Sequence, residues 1–219
     1  MPLPALPSAE LRSNRATWAV PVERLPAAGV AMRATSLTVE RFDPSFRGQS
    51  LETTYFDTRS FDLRKARRKG DRYLTLRIRC YRSPDGGPEV YALSAKTEAD
   101  KRRVEIAPAL AAFWLEHGVG HLDSLTSVLP ADLVARLMEL AGDEALLPVV
   151  AIRCRRYAVE DERDRLTLDC GIRTDKGQRL PYSVLEFKSI DASAAPPDSL
   201  ASLGLRPLKL SKFLWATEV

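Results

Sequence analysis

The segment Leu74-Thr75-Leu76-Arg77-Ile78-Arg79-Cys80 alternates apolar with polar or cationic residues, and this constrains the fold more than any other feature of the chain. On a strand successive side chains leave by opposite faces, so Leu74, Leu76, Ile78 and Cys80 share one side and Thr75, Arg77 and Arg79 the other. Taken alone, the pattern fits equally a half-buried sheet with its arginines in water. The cationic face recurs, however. Lys96 lies near the end of the next predicted strand and Lys101 and Arg103 on the one after it; Arg165 alternates with Thr167 and Asp169, and Glu186 with Lys188 around Phe187. If these strands close into a barrel, alternate residues point into the lumen. Enclosing several Arg and Lys would be costly unless anions or water compensate. Phosphate chains supply that compensation, because Arg forks grip phosphate oxygens in pairs and Lys acts as a movable point charge.

The rest of the chain supports a sheet. Thr53 to Thr58, Tyr73 to Tyr81 and Val90 to Thr97 read as strands, with turn chemistry at Lys69-Gly70-Asp71 and at Ser83 to Pro88. From about Pro108 to Leu147 the apolar spacing changes to three and four residues, which predicts helices over Ala109–His117 and Pro130–Gly142, with Gly142 as a stop signal. Strands resume at Val149–Val159, Arg165–Cys170 and Ser183–Ile190, and an Ala/Pro/Ser-rich link precedes a short terminal segment. The predicted class is mainly β (α+β). The architecture expected is a closed antiparallel β-barrel tunnel of about eight strands, with a helical insertion over 108–147 and short flanking helices. Residues 1–10 read as a disordered leader and 11–219 as a single domain.

Composition narrows the setting. The 219 residues are 45% hydrophobic, with no apolar run of the length that spans a bilayer. The three cysteines, Cys80, Cys154 and Cys170, are widely spaced and without a paired C-x-x-C, which argues against a zinc site or a disulfide framework and for a reducing cytoplasm. Asp57 reads as a backbone-binding residue at a strand end. His117 and His121 are separated by Gly118 and Gly120, which favours a loop over a ligand pair on one helical face. The run Arg64-Lys65-Ala66-Arg67-Arg68-Lys69 reads either as an external basic patch or as a solvated hairpin near the tunnel mouth, where it would steer a polyanion. The arginine-bearing strands lack the paired aromatics that stack bases, so nucleic acid is not an expected partner.

The ordered pieces Tyr55-Phe56-Asp57-Thr58, Leu76-Arg77-Ile78-Arg79-Cys80-Tyr81, Leu93-Ser94-Ala95-Lys96, Lys101-Arg102-Arg103, Arg155-Arg156-Tyr157-Ala158, Asp164 to Asp169, Val184 to Lys188 and Leu210-Ser211-Lys212-Phe213 resemble the VTC (vacuolar transporter chaperone) domain. That domain is the polyphosphate polymerase branch of the triphosphate tunnel metalloenzymes, or CYTH-like proteins. The resemblance implies a tunnel that takes triphosphate, ATP or polyphosphate together with Mg²⁺ or Mn²⁺. It implies phosphate clamps at Arg77, Arg79, Lys96, Lys101, Arg103, Arg156, Arg165 and Lys212, catalytic roles for Glu186 and Lys188, and a metal at Glu186; Glu186 serves equally as an ion-pair partner of a lumen cation. One departure stands out. The family's first strand carries Glu-x-Lys before an aromatic residue, and here the candidate positions hold Arg15 and Thr17 or, in a second register, Asn14 and Ala16. Two readings stay open: a polymerase or triphosphate hydrolase, and a non-catalytic polyphosphate- or nucleotide-binding module.

Overall fold

The computed structural model describes residues 13–39, 46–70, 72–98 and 101–218; the leader read at 1–10 lies outside them. In chain order the elements are β1 (Ser13–Val20), α1 (Leu25–Arg33), β2 (Thr38–Val39), β3 (Gln49–Asp57), α2 (Asp62–Lys69), β4 (Leu74–Arg82), β5 (Val90–Thr97), β6 (Lys101–Ile106), α3 (Pro108–His117), α4 (Ala131–Ala141), β7 (Leu147–Glu160), β8 (Asp164–Thr174), β9 (Ser183–Ser189), α5 (Asp198–Ala201), β10 (Arg206–Pro207) and α6 (Lys212–Thr217). The two helices expected in the middle segment are α3 and α4, and Gly142 ends the second with a left-handed φ of 59°.

All pairings are antiparallel, in the order β10-β1-β9-β8-β7-β3-β4-β5-β6, with β2 on the flank of β7. The expected closed barrel is corrected here: among the described residues β6 pairs only with β5, and the ladder stays open. At the other end of the ladder part of the outer edge of β1 is taken by β10, with Trp18 opposite Pro207 and Ala19 opposite Arg206, and the Leu208 N–H donates to the Thr17 carbonyl at 2.8 Å.

The sheet nevertheless curls strongly. Three strand steps separate β3 from β9, roughly 14 Å along the sheet at about 4.8 Å per step, yet Tyr55 of β3 and Val184 of β9 belong to one buried cluster with Phe213. The convex face is apolar and covered. Leu76, Ile78, Leu93 and Ala95 pack under α3 and α4 against Trp114, Leu133 and Leu137, while Leu166, Leu185 and Phe187 pack under Met32 of α1. Each fully buried side chain of this size contributes about 1.5–3 kcal/mol. At one end the concave face is also apolar: Tyr55, Val150, Ile152 and Val184 receive Phe213 and Ala216 of α6, with the Phe213 ring stacked on Tyr55 at 5.0 Å.

The run read as a basic patch or a hairpin forms the helix α2, which corrects the hairpin alternative. Its sequence is almost entirely charged, so its start depends on caps from the preceding strand. The buried Asp57 carboxylate accepts the N–H groups of Thr58, Leu63 and Arg64 at 2.8–2.9 Å, and the Thr58 hydroxyl accepts that of Asp62 at 3.1 Å. Gly70, at φ 73°, closes the other end. Asp57 is therefore structural, as its position at a strand end suggested. Replacing it with alanine orphans three donors, and we expect Asp57→Ala to lose about 2 kcal/mol or more of unfolding free energy in urea titrations; an unchanged midpoint would refute the capping role.

Candidate polyanion-binding site

The register decides which side chains face the concavity. Arg77 and Arg79 of β4 stand opposite Tyr55 and Thr53 of β3, and on their other side opposite Ser94 and Ala92 of β5. Lys96 pairs across to Lys101 and Ser94 to Arg103 on β6. On the other wall Arg156 of β7 stands opposite Asp169, Glu160 opposite Arg165, Arg165 opposite Lys188, and Thr167 opposite Glu186. Every strand residue predicted for the site thus lies on the one concave face, and Lys212 reaches it from the first residue of α6. The sequence alternation was a correct guide to orientation even though the sheet does not close.

The wall of β4 and β5 carries cations that meet hydroxyls instead of carboxylates. Arg79 donates from Nε to the Thr53 hydroxyl at 2.9 Å, and Arg77 reaches the Tyr55 phenol only at 3.5 Å. Among the described residues no carboxylate lies within ion-pair distance of Arg77, Arg79 or Lys96. The crowding is felt in their acid–base chemistry. Burial and then the neighbouring Arg79 lower the Arg77 pKa. Loss of hydration, followed by the charges of Arg77, Arg67 and Lys188, brings the ammonium of the solvent-reached Lys96 down to about 8. Burial opposes ionisation of the Tyr81 phenol, but Arg79, Arg103 and Arg156 outweigh it and lower its pKa.

The wall of β7 to β9 is a paired network. Arg156 grips Asp169 with both arms of its fork, Nε to Oδ1 at 2.6 Å and Nη2 to Oδ2 at 2.7 Å. The Lys212 ammonium donates to Asp169 Oδ2 and lies 3.6 Å from Glu186 Oε1, and Lys188 lies 3.4 Å from Glu186 Oε2. Burial alone would raise both carboxyl pKa values. Instead Arg156 and Lys212 hold Asp169, and Lys212 and Lys188 hold Glu186, well below the usual carboxylate range.

A resident divalent cation does not fit these residues as they stand. All four oxygens of Asp169 and Glu186 already face a cationic nitrogen, and the β1 residue paired with Glu186 is Thr17, a neutral side chain. The buried Thr167 hydroxyl across from Glu186 has no hydrogen-bond partner, but one neutral oxygen does not make a cation site. No group of three His, Cys, Asp or Glu side chains converges among the described residues.

Sequence reading missed several participants. Asp169 shares the face of Arg165 by simple alternation and was legible as a lumen residue, though not as the anchor of two cations. Tyr81, two residues beyond Arg79, follows the same alternation. Arg67 carried no such signal: it belongs to α2, lies over the Tyr73 ring at 3.7 Å and contributes to the positive field at Lys96. His117 ends α3 and His121 lies beyond it, so the two share no helix.

A family model for the VTC domain matches residues 29–219. No curated protein matches the chain. Among solved structures, a Vibrio parahaemolyticus protein provisionally described as an adenylate cyclase is 14% identical with a TM-score of 0.51, covering 90% of this chain and 94% of its own. That likeness concerns the fold alone. The PH1012 protein of Pyrococcus horikoshii, at 12% identity, covers 86% of this chain and 84% of its own, and its TM-score of 0.38 is too low to argue from.

The depressed carboxyl groups set an acid limit on stability. A carboxyl with a lowered folded pKa contributes stability that is complete above its unfolded value, here 3.8 for Asp169 and 4.5 for Glu186, and is lost as pH falls toward the folded value. Unfolding free energy should therefore be flat with respect to these groups above about pH 5 and fall below it. Asp169→Ala, which strands Arg156 and Lys212, should cost about 3–5 kcal/mol and flatten that acid slope; denaturant titrations across the pH range test both.

Proposed function

The chain belongs to the VTC domain family, and we propose that its concave face binds the phosphate chain of an inorganic triphosphate, polyphosphate or ATP. The observation that carries this reading is the cluster Arg77, Arg79 and Lys96 on the concave face, with no carboxylate within ion-pair distance among the described residues. A phosphate chain supplies closely spaced anionic oxygens along a line, which suits guanidinium forks on β4 and ammonium groups on β5 and β9. Lys101, Arg103, Arg156, Arg165 and Lys212 extend the positive lining around the curl. The Tyr55 and Tyr81 hydroxyls, held against Arg77 and Arg79, add neutral partners for phosphate oxygens.

The superfamily is generally metal-dependent. On a polymerase or triphosphate hydrolase reading, Mg²⁺ or Mn²⁺ would arrive on the phosphates and supply charge neutralisation for phosphoryl transfer. Lys188 and Lys212 would hold the phosphate oxygens near Glu186, and the remainder of the catalysis would be positioning. The non-catalytic module is supported by a specific observation: the first-strand Glu position is held by Arg15 or Asn14, neither a carboxylate, the β1 residue in register with Glu186 is the neutral Thr17, and Glu186 itself is occupied by two lysines. Binding is common to both readings and is the conclusion drawn.

Arg77→Ala combined with Arg79→Ala should remove about 2–4 kcal/mol of tripolyphosphate binding, an affinity loss on the order of 100-fold by calorimetry. Unchanged affinity would end the proposal. Incubation with ATP and Mn²⁺ or Mg²⁺, with released phosphate and polyphosphate measured, separates enzyme from module. Lys96 gives an independent signature. Its ammonium, with a pKa of about 8 in the free protein, must be protonated to hold an anion, so affinity should decline as pH rises from about 7 to about 9. Lys96→Arg should flatten that decline, and since the ligand's own titration is common to both proteins, the difference between the two curves isolates Lys96.

A further inference from the structure

We infer that Lys212 is a built-in replacement for a divalent cation, its ammonium seated between Asp169 and Glu186, so that the site takes inorganic tripolyphosphate with no metal bound by the protein. This rests on the polyanion-binding reading and specifies how its charge is balanced.

The argument starts from what a metal would need. Magnesium-type sites are built from one or two carboxylates with at least one oxygen free, completed by water and substrate phosphate. Here the Lys212 ammonium donates to Asp169 Oδ2 and lies 3.6 Å from Glu186 Oε1, bridging two carboxylates from adjacent strands as a shared ion would. The remaining oxygens are taken as well, Asp169 Oδ1 by Arg156 at 2.6 Å and Glu186 Oε2 by Lys188 at 3.4 Å. Three cations therefore already surround two anions. A divalent ion entering alone would meet a net positive cluster, with no unpaired carboxylate oxygen on these residues to receive it.

The placement of Lys212 is rigid. Ser211 caps α6 by accepting the Leu214 N–H, Phe213 stacks on Tyr55 at 5.0 Å, and Glu218 at the far end pairs with Arg68 of α2 at 3.4 Å. The ammonium is thus presented from a docked helix and not from a free tail. The same geometry leaves Lys212 beside Lys188 and Arg156, so that the three cations meet around Asp169 and Glu186.

The test uses the full chain. Tripolyphosphate is titrated calorimetrically in EDTA and again with excess Mg²⁺, and Mn²⁺ alone is titrated into the wild type and into Lys212→Met. We expect tripolyphosphate to bind in EDTA, with Mg²⁺ leaving affinity unchanged or weaker because it competes for the ligand in solution. We expect no Mn²⁺ binding to the wild type and a weak, newly acquired Mn²⁺ site in Lys212→Met, where Glu186 Oε1 is released and Asp169 keeps only Arg156 as its cation. Tripolyphosphate binding that strengthens about tenfold or more on adding Mg²⁺, or stoichiometric Mn²⁺ binding to the wild type, overturns the inference while leaving the polyanion reading intact. Failure to bind tripolyphosphate under either condition sinks both. Should Lys212→Met not fold, the wild-type titrations still decide.

Discussion

The grip of Asp169 on Arg156 and Lys212 is the interaction on which the rest of the arrangement depends. Taking several like charges out of bulk water is costly, and the cost falls only if some of them are paired with good geometry. Asp169 supplies that geometry at the point where β7, β8 and α6 meet. With it in place, one wall of the concavity is electrically settled and the other can be left positive. Without it, Arg156 and Lys212 would add to the repulsion already present among Arg77, Arg79 and Lys96.

The two faces of the sheet divide the work. The convex face stabilises the fold through aliphatic contacts beneath α1, α3 and α4, and so frees the concave face from having to be apolar throughout. Even there the division repeats along the axis: α6 fills one end with Phe213 and Ala216 and projects Lys212 into the charged part. An apolar plug next to a cationic field lowers the local dielectric, which strengthens each charged contact made to a ligand but also raises the cost of leaving a charge unpaired. Cations without a carboxylate on such a face need water or an anion to share the cost.

Much of this was legible from the alternation of β4. The period of two is a property of the backbone, so Thr75, Arg77 and Arg79 had to share a face whatever the remaining chain did, while their pairing with Thr53 and Tyr55 was set by register. Recurrence on other strands indicated that the face was common. The hydrogen bonding of the sheet's edges was not legible, because β10, which pairs with the edge of β1, consists of two residues with no strand pattern of their own. The helix α2 was missed for a related reason. Its residues are nearly all charged and carry no apolar periodicity; its start is decided by Asp57 and Thr58, which lie outside it and read as the end of a strand. Local pattern reports orientation well, and reports poorly what a neighbouring segment contributes.

The departure at β1 and the position of Lys212 are best understood together. A carboxylate at the Thr17 position would lie in register with Glu186 and bring a third negative group to Asp169 and Glu186. Such a set favours a divalent ion, since only a concentrated positive charge offsets three carboxylates in a confined space. With the neutral Thr17 there instead, the charge to be neutralised is that of Asp169 and Glu186 alone, which Arg156, Lys188 and Lys212 meet. The neutral residue on the first strand and the lysine on the last helix are thus two halves of one electrostatic balance, set at opposite ends of the sequence and brought together by β9, which pairs with β1 and carries Glu186.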